Sequence, residues 1–375
     1  MFRQFLFPVM KAQRDNGHYV CACGSDDADA REIKKQGFDV FTHNLKRTIN
    51  PFSIVITVVR LRRIIKENNI DVLICHTPLG GFLGRLAGYL AGVDCVIYFA
   101  HGLLCAPAQS KVKWLIFFLI EKSLAGLANA FIVMNDYDEN LSRTRLAGKA
   151  KVFRIAGMGV DINRFSDTNT EREKASVKNE FSISPSDKIM LSVAFLISEK
   201  GIWDFFEAAK IICSRRSDVC FMIAGSGPDE ENLVNAVKQE GLSSQFRVLG
   251  WRTDVQRLMK ACDIFVLPSY YFEGLPVSIL EAMACKKPVI STFHRGCEDT
   301  VSNEETGLLV PIKSPYELSN AIIKLLNDRK LCESMGRKGR EKIESVFEIG
   351  KCTKEITDII DSIISCKSSR SSGSF

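Results

Sequence analysis

The stretch that decides the fold is Leu267-Pro-Ser-Tyr-Tyr-Phe-Glu-Gly-Leu-Pro-Val-Ser-Ile-Leu-Glu-Ala-Met-Ala284. A short apolar run ends at Leu267, a loop follows, and Pro276 stands near the first position of a predicted helix. Backbone amides at the start of a helix lack partners within it and attract an anion. Glu273 lies in the loop and Glu281 about one turn into the helix, so we expect two carboxylates to flank an anion site.

Each carboxylate alone has a simpler explanation. Glu281 could complement the helix dipole, and Glu273 could be a solvated loop charge. Their combination with Gly274 and Pro276 favours a ligand that carries both phosphates and sugar hydroxyls, such as a nucleotide diphosphate sugar. The amides would bind phosphate, and the carboxylates would bind hydroxyl groups.

Outward from this stretch, short β-branched runs alternate with amphipathic segments such as 54–68 and 112–127. This rhythm predicts βαβ units and parallel sheets, with ligands at the carboxyl ends of the strands. The fold class is therefore α/β, with two doubly wound, Rossmann-like domains. The predicted strands are 19–23, 40–42, 72–75, 96–99, 131–134, 152–155, 189–193, 220–224, 246–249, 264–267, 288–291 and 308–310.

The domain boundaries follow from the polar stretch 166–186, which lacks apolar periodicity. We predict a first domain over 1–165 and a second over 166–350. A C-terminal helix over 351–366 is expected to pack back toward the first domain, and 367–375 to be a disordered tail. The start reads as a helix ending at Gly17, followed by a strand. A doubly wound domain begins with a strand, so either this strand is absent or the true start lies upstream.

Charge and cysteine content limit the setting. Residues 1–160 hold 21 Lys and Arg against 13 Asp and Glu, and the remainder holds 29 against 31. The basic first half suits an anionic membrane surface or a diphosphate ligand, unless the excess is a chance fluctuation. The 13 cysteines are scattered, which favours free thiols in the cytoplasm. We expect no signal peptide, and the longest apolar run, 114–120, is too short to span a bilayer.

Several segments together resemble the retaining glycosyltransferases of family 4, which have the GT-B fold of two Rossmann-like domains facing a cleft. The resemblance covers roughly residues 2–365, and within the family it is closest to the subgroup that builds bacterial surface polysaccharides, including lipopolysaccharide and capsule. The segments that carry it are the Glu273–Glu281 frame, Leu191–Gly201, Phe221–Pro228, Leu249–Arg252, Thr306–Pro311, Cys75–Gly81 and Tyr98–Gly102.

The resemblance implies a role for each matching residue. His101, facing the donor sugar from the first, acceptor-side domain, and Glu273 would be the catalytic residues. Lys200 would contact the donor diphosphate, Arg252 would line the base, and Glu281 would bind ribose. The remaining donor-binding positions are Gly225, Gly274, Leu275 and Pro276.

The resemblance also implies the substrates. A hexose or N-acetylhexosamine would pass from a nucleotide sugar, with UDP favoured, to a polyprenyl-diphosphate-linked or other glycan acceptor. We expect no cofactor, no metal and no nucleic-acid partner. The location would be cytoplasmic, with peripheral contact at the inner face of the cytoplasmic membrane.

One departure weakens the match. The family usually has an arginine, a diphosphate clamp, where this chain has Phe195. A lost charge-assisted contact of about 2–3 kcal/mol would slow transfer roughly 30–150-fold, although Lys200 or Arg295 could compensate. Phe195 and the missing first strand favour an alternative function, a catalytically impaired or truncated relative that binds a nucleotide or a partner enzyme.

Other candidates have two interpretations each. Asp136-Tyr-Asp138 matches a metal-binding Asp-x-Asp pattern, but Asp is also common at a helix start. His76 could be a core or a site residue. Residues 111–122 suit either a helix at the membrane–water boundary or a core helix that is apolar all round. Arg60-Leu-Arg-Arg63 could be a solvated helix face or a nucleic-acid-binding patch, and the solvated face is favoured.

Overall fold

The computed structural model describes residues 6–42 and 51–371. The chain folds into two compact units. The first unit comprises Met1–Gly159 and Ile349–Phe375, and the second unit comprises Val160–Glu348. The first division therefore falls after Gly159 rather than after residue 165, and the second after Glu348 rather than after residue 350.

All described strands pair in parallel. In chain order they are β1 (Cys21–Gly24), β2 (Asp39–Thr42), β3 (Val72–His76), β4 (Cys95–Phe99), β5 (Ala130–Val133), β6 (Lys151–Arg154), β7 (Lys188–Val193), β8 (Val219–Ala224), β9 (Phe246–Val248), β10 (Ile264–Val266), β11 (Val289–Thr292) and β12 (Gly307–Val310). Each predicted strand overlaps one of these, because alternating runs of β-branched residues and turns mark strands locally.

Helices fill the connections between the strands. They are α1 (Phe7–Asp15), α2 (Ala28–Lys35), α3 (Pro51–Glu67), α4 (Pro78–Ala91), α5 (Lys111–Ala125), α6 (Asp136–Leu141), α7 (Thr170–Glu180), α8 (Ile202–Cys213), α9 (Glu230–Gln239), α10 (Val255–Ala261), α11 (Val277–Ala284), α12 (Cys297–Thr300), α13 (Pro315–Asn327), α14 (Arg329–Lys342) and α15 (Ile349–Ser371). Among residues 6–42 and 51–371, none of these helices combines the length and apolar character needed to cross a bilayer.

In the first unit the described strands form two separate sheets, β1-β2 and β3-β4-β5-β6. In a doubly wound sheet, the first strand of the chain lies in the interior, with a strand on each side of it. The break between β1 and β3 therefore falls where such a strand would lie, and α1 is the first element that the structure describes. Among the described residues, no strand pairs with both β1 and β3.

Helix α15 packs within the first unit. The side chains of Gln13 and Asn16 donate to the Asp361 carboxylate at 3.1 and 3.0 Å, and the Ala156 amide donates to Glu355 at 3.2 Å. The helix begins at Ile349 and continues to Ser371, whereas a disordered tail was predicted from residue 367. Apolar positions spaced by three and four residues give α15 a buried face that local composition at its end does not reveal. They are Cys352, Ile356, Ile360 and Ile363.

Helix α5 resolves the two interpretations of 111–122 into two faces. Trp114, Phe117 and Phe118 pack on the first unit's core, whereas Leu115 and Leu119 are more than half exposed. A core helix apolar all round would bury both faces. The exposed apolar face contradicts the interpretation as a core helix buried on all sides, whereas a position at the membrane–water boundary stays a prediction.

A buried ion pair joins α4 to α5. Arg85 donates to the Glu121 carboxylate at 2.8 Å and to the Gly81 carbonyl at 2.8 Å. The Tyr98 ring lies under the guanidinium at 4.0 Å, and its hydroxyl donates to Glu121 at 3.2 Å. Because the pair is buried away from water, removing either residue would leave the other charge buried without its partner.

The second unit has one continuous six-stranded sheet in the order β12-β11-β10-β7-β8-β9. An aromatic cluster anchors its core, in which Phe205 and Phe206 of α8 contact Phe246 with ring centroids 5.7 and 5.5 Å apart. Phe221 of β8 completes the cluster. This core keeps the loops at one edge of the sheet in a defined arrangement.

Candidate active site

The strand order of the second unit brings two distant loops together. β7 and β10 are neighbours. The strands that follow β7 extend the sheet on one side, and the strands that follow β10 extend it on the other. Ligands of open α/β sheets bind outside the carboxyl ends of strands at such a switch point. The loops 194–201 and 267–276 follow these two strands, and the Tyr270 amide donates to the Glu199 carbonyl at 2.8 Å.

Lys200 and Glu273 meet between these loops. The Lys200 Nζ lies 2.5 Å from Glu273 Oε1, and the two side chains are 16% and 10% exposed. Ser269 Oγ donates to the same carboxylate oxygen at 2.9 Å. The Tyr271 ring lies 4.7 Å from the ammonium. The cation and the carboxylate proposed from the resemblance thus share one location at the switch point.

Two glycines permit this close approach of backbones. Gly201 has φ +72°, and a Cβ there would lie 2.0 Å from the Pro268 carbonyl oxygen. Gly225 has φ +145°, and its Cβ would lie 1.8 Å from the Ala194 carbonyl oxygen. Any side chain would force the loops apart, so both positions require glycine.

Helix α11 begins beside the pair. Pro276 occupies the N-cap, with φ −75° and ψ 104°, and no side chain caps the helix from that position. The sequence placed Pro276 one residue further along, near the first helical position. Leu275, Glu273 and Glu281 are all buried, so the frame predicted around this helix start is largely enclosed by protein.

Two residues that the sequence did not mark support the 267–276 loop. Thr292 at the end of β11 donates its hydroxyl to the Ser269 carbonyl. His294 Nε2 lies 2.9 Å from the Tyr271 carbonyl oxygen, and burial, followed by the charge of Arg295, lowers the pKa of His294. A neutral ring that donates from Nε2 fits this contact. Because both residues lie at the end of β11, no spacing within the 267–276 segment predicts them.

The turn after His294 lies directly against the loop. A Cβ on Gly296 would lie 2.7 Å from the Gly274 carbonyl oxygen and 3.0 Å from Glu273 Cβ. Arg295 between them is almost fully buried. Arg295 therefore lies in the same part of the unit as Glu273. Whether it compensates for the arginine that Phe195 replaces stays a prediction. Phe195 itself is 51% exposed.

Arg252 is engaged by carboxylates. Its guanidinium donates to both oxygens of Asp254 at 2.8 Å and to Glu180 at 3.2 Å, and it lies 5.7 Å from the Phe181 ring. These contacts tie the loop after β9 to α7. The neighbouring Trp251, in contrast, is 76% exposed.

In the first unit, two histidines meet at the carboxyl ends of β3 and β4. His76 Nδ1 lies 3.0 Å from His101 Nε2, and the Phe99 ring stacks on His101 with centroids 4.9 Å apart. Burial lowers the pKa of His101 to about 4. Burial and then the neighbouring His101 lower the pKa of His76. Two neutral imidazoles can share one proton as donor and acceptor.

Asp136 and Asp138 do not point at a common centre. Asp138 is buried and accepts hydrogen bonds from the Leu103 amide and the Asn135 side chain, both at 3.0 Å. Asp136 pairs with Arg154 at 2.9 Å. Asn135 caps α6 through the Asp138 amide, which supports the helix-start interpretation. Within the described part of the chain, no group of three or more His, Cys, Asp or Glu side chains could hold a metal ion.

Two protein families match the chain, one in each half. The family described as glycosyl transferase 4-like domain matches residues 5–156. The family described as glycosyl transferases group 1 matches residues 173–342. The matches leave little of the chain unassigned between residues 5 and 342, and they confirm the family resemblance.

Two curated relatives cover most of the chain. An Escherichia coli UDP-Gal:alpha-D-GlcNAc-diphosphoundecaprenol alpha-1,3-galactosyltransferase is 29% identical over 329 residues, which are 86% of this chain and 84% of the relative. A Campylobacter jejuni N,N'-diacetylbacillosaminyl-diphospho-undecaprenol alpha-1,3-N-acetylgalactosaminyltransferase is 28% identical over 333 residues, 87% of each chain.

A solved structure confirms the fold. The crystal structure of Anabaena Alr3699/HepE in complex with UDP is 19% identical, has a TM-score of 0.78 and covers 95% of each chain. This likeness identifies the GT-B fold expected from the sequence. The two family matches show that the chain belongs to the glycosyltransferases built from a glycosyl transferase 4-like domain followed by a group 1 domain.

Proposed function

We propose that this glycosyltransferase moves a hexose or N-acetylhexosamine from a UDP-sugar to a polyprenyl-diphosphate-linked glycan, with retention of anomeric configuration. The observation that carries the proposal is the Lys200–Glu273 pair at the switch point, beside the start of α11. The two curated relatives act on diphosphoundecaprenol-linked sugars by their names, which supports the acceptor class. The work would take place at the cytoplasmic face of the membrane, as part of surface polysaccharide synthesis.

The chemistry assigned to each group follows from charge. The bond between the anomeric carbon and the diphosphate breaks, and a bond from that carbon to the acceptor oxygen forms. The acceptor hydroxyl gives up its proton to the diphosphate oxygen of the nucleoside diphosphate that leaves. Lys200 and the backbone of Gly274 to Pro276 and the start of α11 would stabilise the charge that develops on the diphosphate. On donor binding, Lys200 would exchange part of its contact with Glu273 for a phosphate oxygen, so that Glu273 can bind sugar hydroxyls.

The remaining positions complete the donor site. Glu281 would bind ribose, and Gly225 would let the donor approach the backbone. Because the Arg252 guanidinium is held by carboxylates, the base contact is assigned to the adjoining backbone and to the exposed Trp251. His101 would face the donor sugar as a neutral hydrogen-bonding group. We propose no metal, since a cation and helix amides supply the positive charge.

A donor and acceptor screen tests this proposal. The protein is incubated with UDP- and GDP-sugars and polyprenyl-diphosphate-linked acceptors, with and without EDTA, and NMR reads the anomeric configuration of the product. We expect a UDP-sugar to be used, retention, no loss with EDTA, and a loss of at least about 100-fold for Glu273→Gln and Glu281→Gln. Glu240→Gln, at an exposed pair with Lys210, is the control. Full activity of both site variants would refute the assignment.

A catalytically impaired relative is the second candidate function. The half-exposed Phe195 and the separation of β1-β2 from β3-β6 favour it. Phe195→Arg restores the cation expected at this position. A rise in turnover of roughly 30–150-fold would show a working site weakened by Phe195. UDP binding without turnover in both forms would support the impaired relative.

A further inference from the structure

His76 and His101 form a side-chain pair at the carboxyl ends of β3 and β4. His76 Nδ1 lies 3.0 Å from His101 Nε2. The Phe99 ring lies near both, with its centroid 5.0 Å from that of His76 and 4.9 Å from that of His101. His76 and Phe99 are partners in the β3–β4 register, so the sheet itself brings the three rings together. Neighbouring side chains thus hold one edge and one face of the His101 ring.

The backbone around His101 is fixed on both sides. The Ala100 amide donates to the Ile132 carbonyl at 2.9 Å. The Leu103 amide donates to the buried Asp138 carboxylate at 3.0 Å. The position of the His101 ring is therefore defined by its own backbone as well as by the rings beside it.

The backbone after His76 is strained at the next residue. Thr77 has φ +64° and ψ 161°, a conformation that residues other than glycine rarely adopt. Its carbonyl accepts from the Gly81 amide at 2.7 Å and its hydroxyl from the Gly80 amide at 3.3 Å, so the start of α4 maintains the conformation. Strain of this kind is found where a functional side chain is held in one arrangement. His76, the last residue of β3, is the side chain that this turn fixes.

Glycines let α4 pack directly on the two strands. A Cβ on Gly81 would lie 2.3 Å from the Tyr98 ring, and a Cβ on Gly84 would lie 2.5 Å from Cys75 Sγ. Tyr98 and Cys75 are partners in β4 and β3, one residue before the strand ends. The helix therefore stabilises both strand ends at the level of the histidine pair.

The hydrogen bond couples the tautomers of the two rings. Burial lowers the pKa of both histidines, and the neighbouring ring lowers that of His76 further, so both are neutral near pH 7 and each carries one N–H. If His76 Nδ1 donates, His101 Nε2 accepts, and the proton of His101 lies on Nδ1. If His101 Nε2 donates, His76 Nδ1 accepts, and the proton of His76 lies on Nε2. Both rings therefore carry their proton on the same atom.

The second nitrogen of each ring remains for a ligand. Within the described residues, neither His76 Nε2 nor His101 Nδ1 has a hydrogen-bond partner, and both side chains are partly exposed. We propose that His76 is a positioning residue for His101: it fixes the orientation of that ring and requires both rings to hold the same tautomer, so that His101 Nδ1 meets one hydroxyl group of the donor sugar. A hydroxyl both donates and accepts, so it can pair with His101 Nδ1 in either tautomer. This role of His76 rests on the proposed function, which assigns His101 to the donor sugar.

Two substitutions of His76 separate a positioning role from a structural one. His76→Phe keeps a ring but removes the nitrogen, whereas His76→Asn places an amide group near the position of Nδ1 that can donate or accept. With the UDP-sugar found in the donor screen, we expect kcat to fall at least about tenfold in His76→Phe and to recover to within about threefold of wild type in His76→Asn. The KM for the donor should change less than about twofold, because the diphosphate and base contacts of the second unit remain.

Tyr98→Phe is the matched structural control. It removes one buried hydrogen bond, to Glu121 at 3.2 Å, from the same pair of strands, and it should leave kcat unchanged. Urea denaturation of each variant measures the loss of stability. A purely structural His76 would make His76→Phe behave as this control does, with lower stability and normal kcat.

Nitrogen NMR of protein labelled at histidine reads the tautomers without any turnover. The signals of the pair are assigned from the spectra of His76→Phe and His101→Phe. In wild type we expect the same proportion of Nδ1–H and Nε2–H forms in both rings. In His76→Phe we expect the proportion in His101 to change, because its Nε2 has lost its partner.

Two results would overturn the proposal. One is a different tautomer in each ring of the wild-type pair, and the other is equal kcat in His76→Phe and Tyr98→Phe. A wild-type protein that turns over no UDP-sugar would refute the transferase proposal, and the NMR result then decides on the pair. Unchanged His101 tautomers in His76→Phe would overturn the coupling, whereas a change in them would support it.

Discussion

The two units each enclose a cation beside a carboxylate, and the two pairs differ in their surroundings. Arg85 and Glu121 in the first unit are 2.8 Å apart, with side chains 0% and 4% exposed. Lys200 and Glu273 in the second unit are 2.5 Å apart and 16% and 10% exposed. The first pair lies between two helices, whereas the second lies in two loops at the ends of neighbouring strands.

This difference separates a structural pair from one that can change partners. The Arg85 guanidinium also donates to Gly81 and lies on Tyr98, so moving it would break several contacts at once. Lys200 lies in a loop at the switch point, where an incoming anion can reach a cation. We therefore expect the first pair to control stability and the second to control activity.

The largest effect is expected from breaking the sealed pair. Arg85→Met leaves Glu121 buried without its cation, which should lower the free energy of unfolding by about 3–5 kcal/mol. Urea denaturation measures the loss, and amide hydrogen exchange should place it in β3–β6. Lys11→Met, which breaks an exposed pair with Asp15, should cost less than about 1 kcal/mol. An Arg85→Met protein as stable as the control would contradict the assignment.

A smaller effect, on turnover rather than stability, is expected at the Lys200–Glu273 pair. Lys200→Met should lower kcat/KM for the donor roughly 30–150-fold, because a charge-assisted contact to the diphosphate is lost. Its stability should change less than that of Arg85→Met, since Glu273 keeps the hydrogen bond from Ser269. Lys210→Met removes a lysine from a surface pair in the same unit and should leave turnover unchanged. Equal turnover in the two variants would show that Lys200 does not contribute to donor binding.

The histidine pair extends the comparison to pH. Burial lowers the pKa of His101 from 6.5 to about 4, so below pH 6.5 the unfolded chain binds a proton that the folded chain does not. Stability from this group is present above pH 6.5 and is lost as the pH falls toward 4. Between pH 7 and 5 we expect a loss of about 1–2 kcal/mol. Chemical denaturation across this range should show a shallower slope for His101→Gln than for wild type; identical slopes would count against a buried neutral His101.

The smallest effect should be the same in both units, because it is local. Asp27 caps α2 by accepting from the Ala30 amide at 2.9 Å, and Asp328 caps α14 by accepting from the Leu331 amide at 2.9 Å. Asp27→Ala and Asp328→Ala should each cost about 1 kcal/mol in thermal or urea unfolding. A clear difference between the two losses of stability would show that tertiary contacts affect even these exposed helix starts.

The sequence could predict which candidate site residues follow the strand ends, because short segments carry them. The Glu273–Glu281 frame, Lys200 and the glycines each stand next to a strand end that the apolar pattern marks. Ser269, which donates to Glu273 from the same loop, was not predicted. Thr292 and His294 were not predicted either, because they reach the Ser269 and Tyr271 carbonyl oxygens from the end of β11, which only the sheet order brings beside this loop. Arg252 shows the same limit, since its partner Glu180 lies 72 residues away in the chain.

The sequence by itself determined the strands, several of the helices and the family, since periodicity and motifs depend on residues close in the chain. Tertiary structure alone decided which charges are sealed, as in Arg85–Glu121, and which remain within reach at the switch point, as in Lys200–Glu273. It also decided which apolar face of α5 is buried. When a helix is apolar on nearly every side, its sequence does not indicate which face is buried. Only its packing against neighbouring elements determines that face.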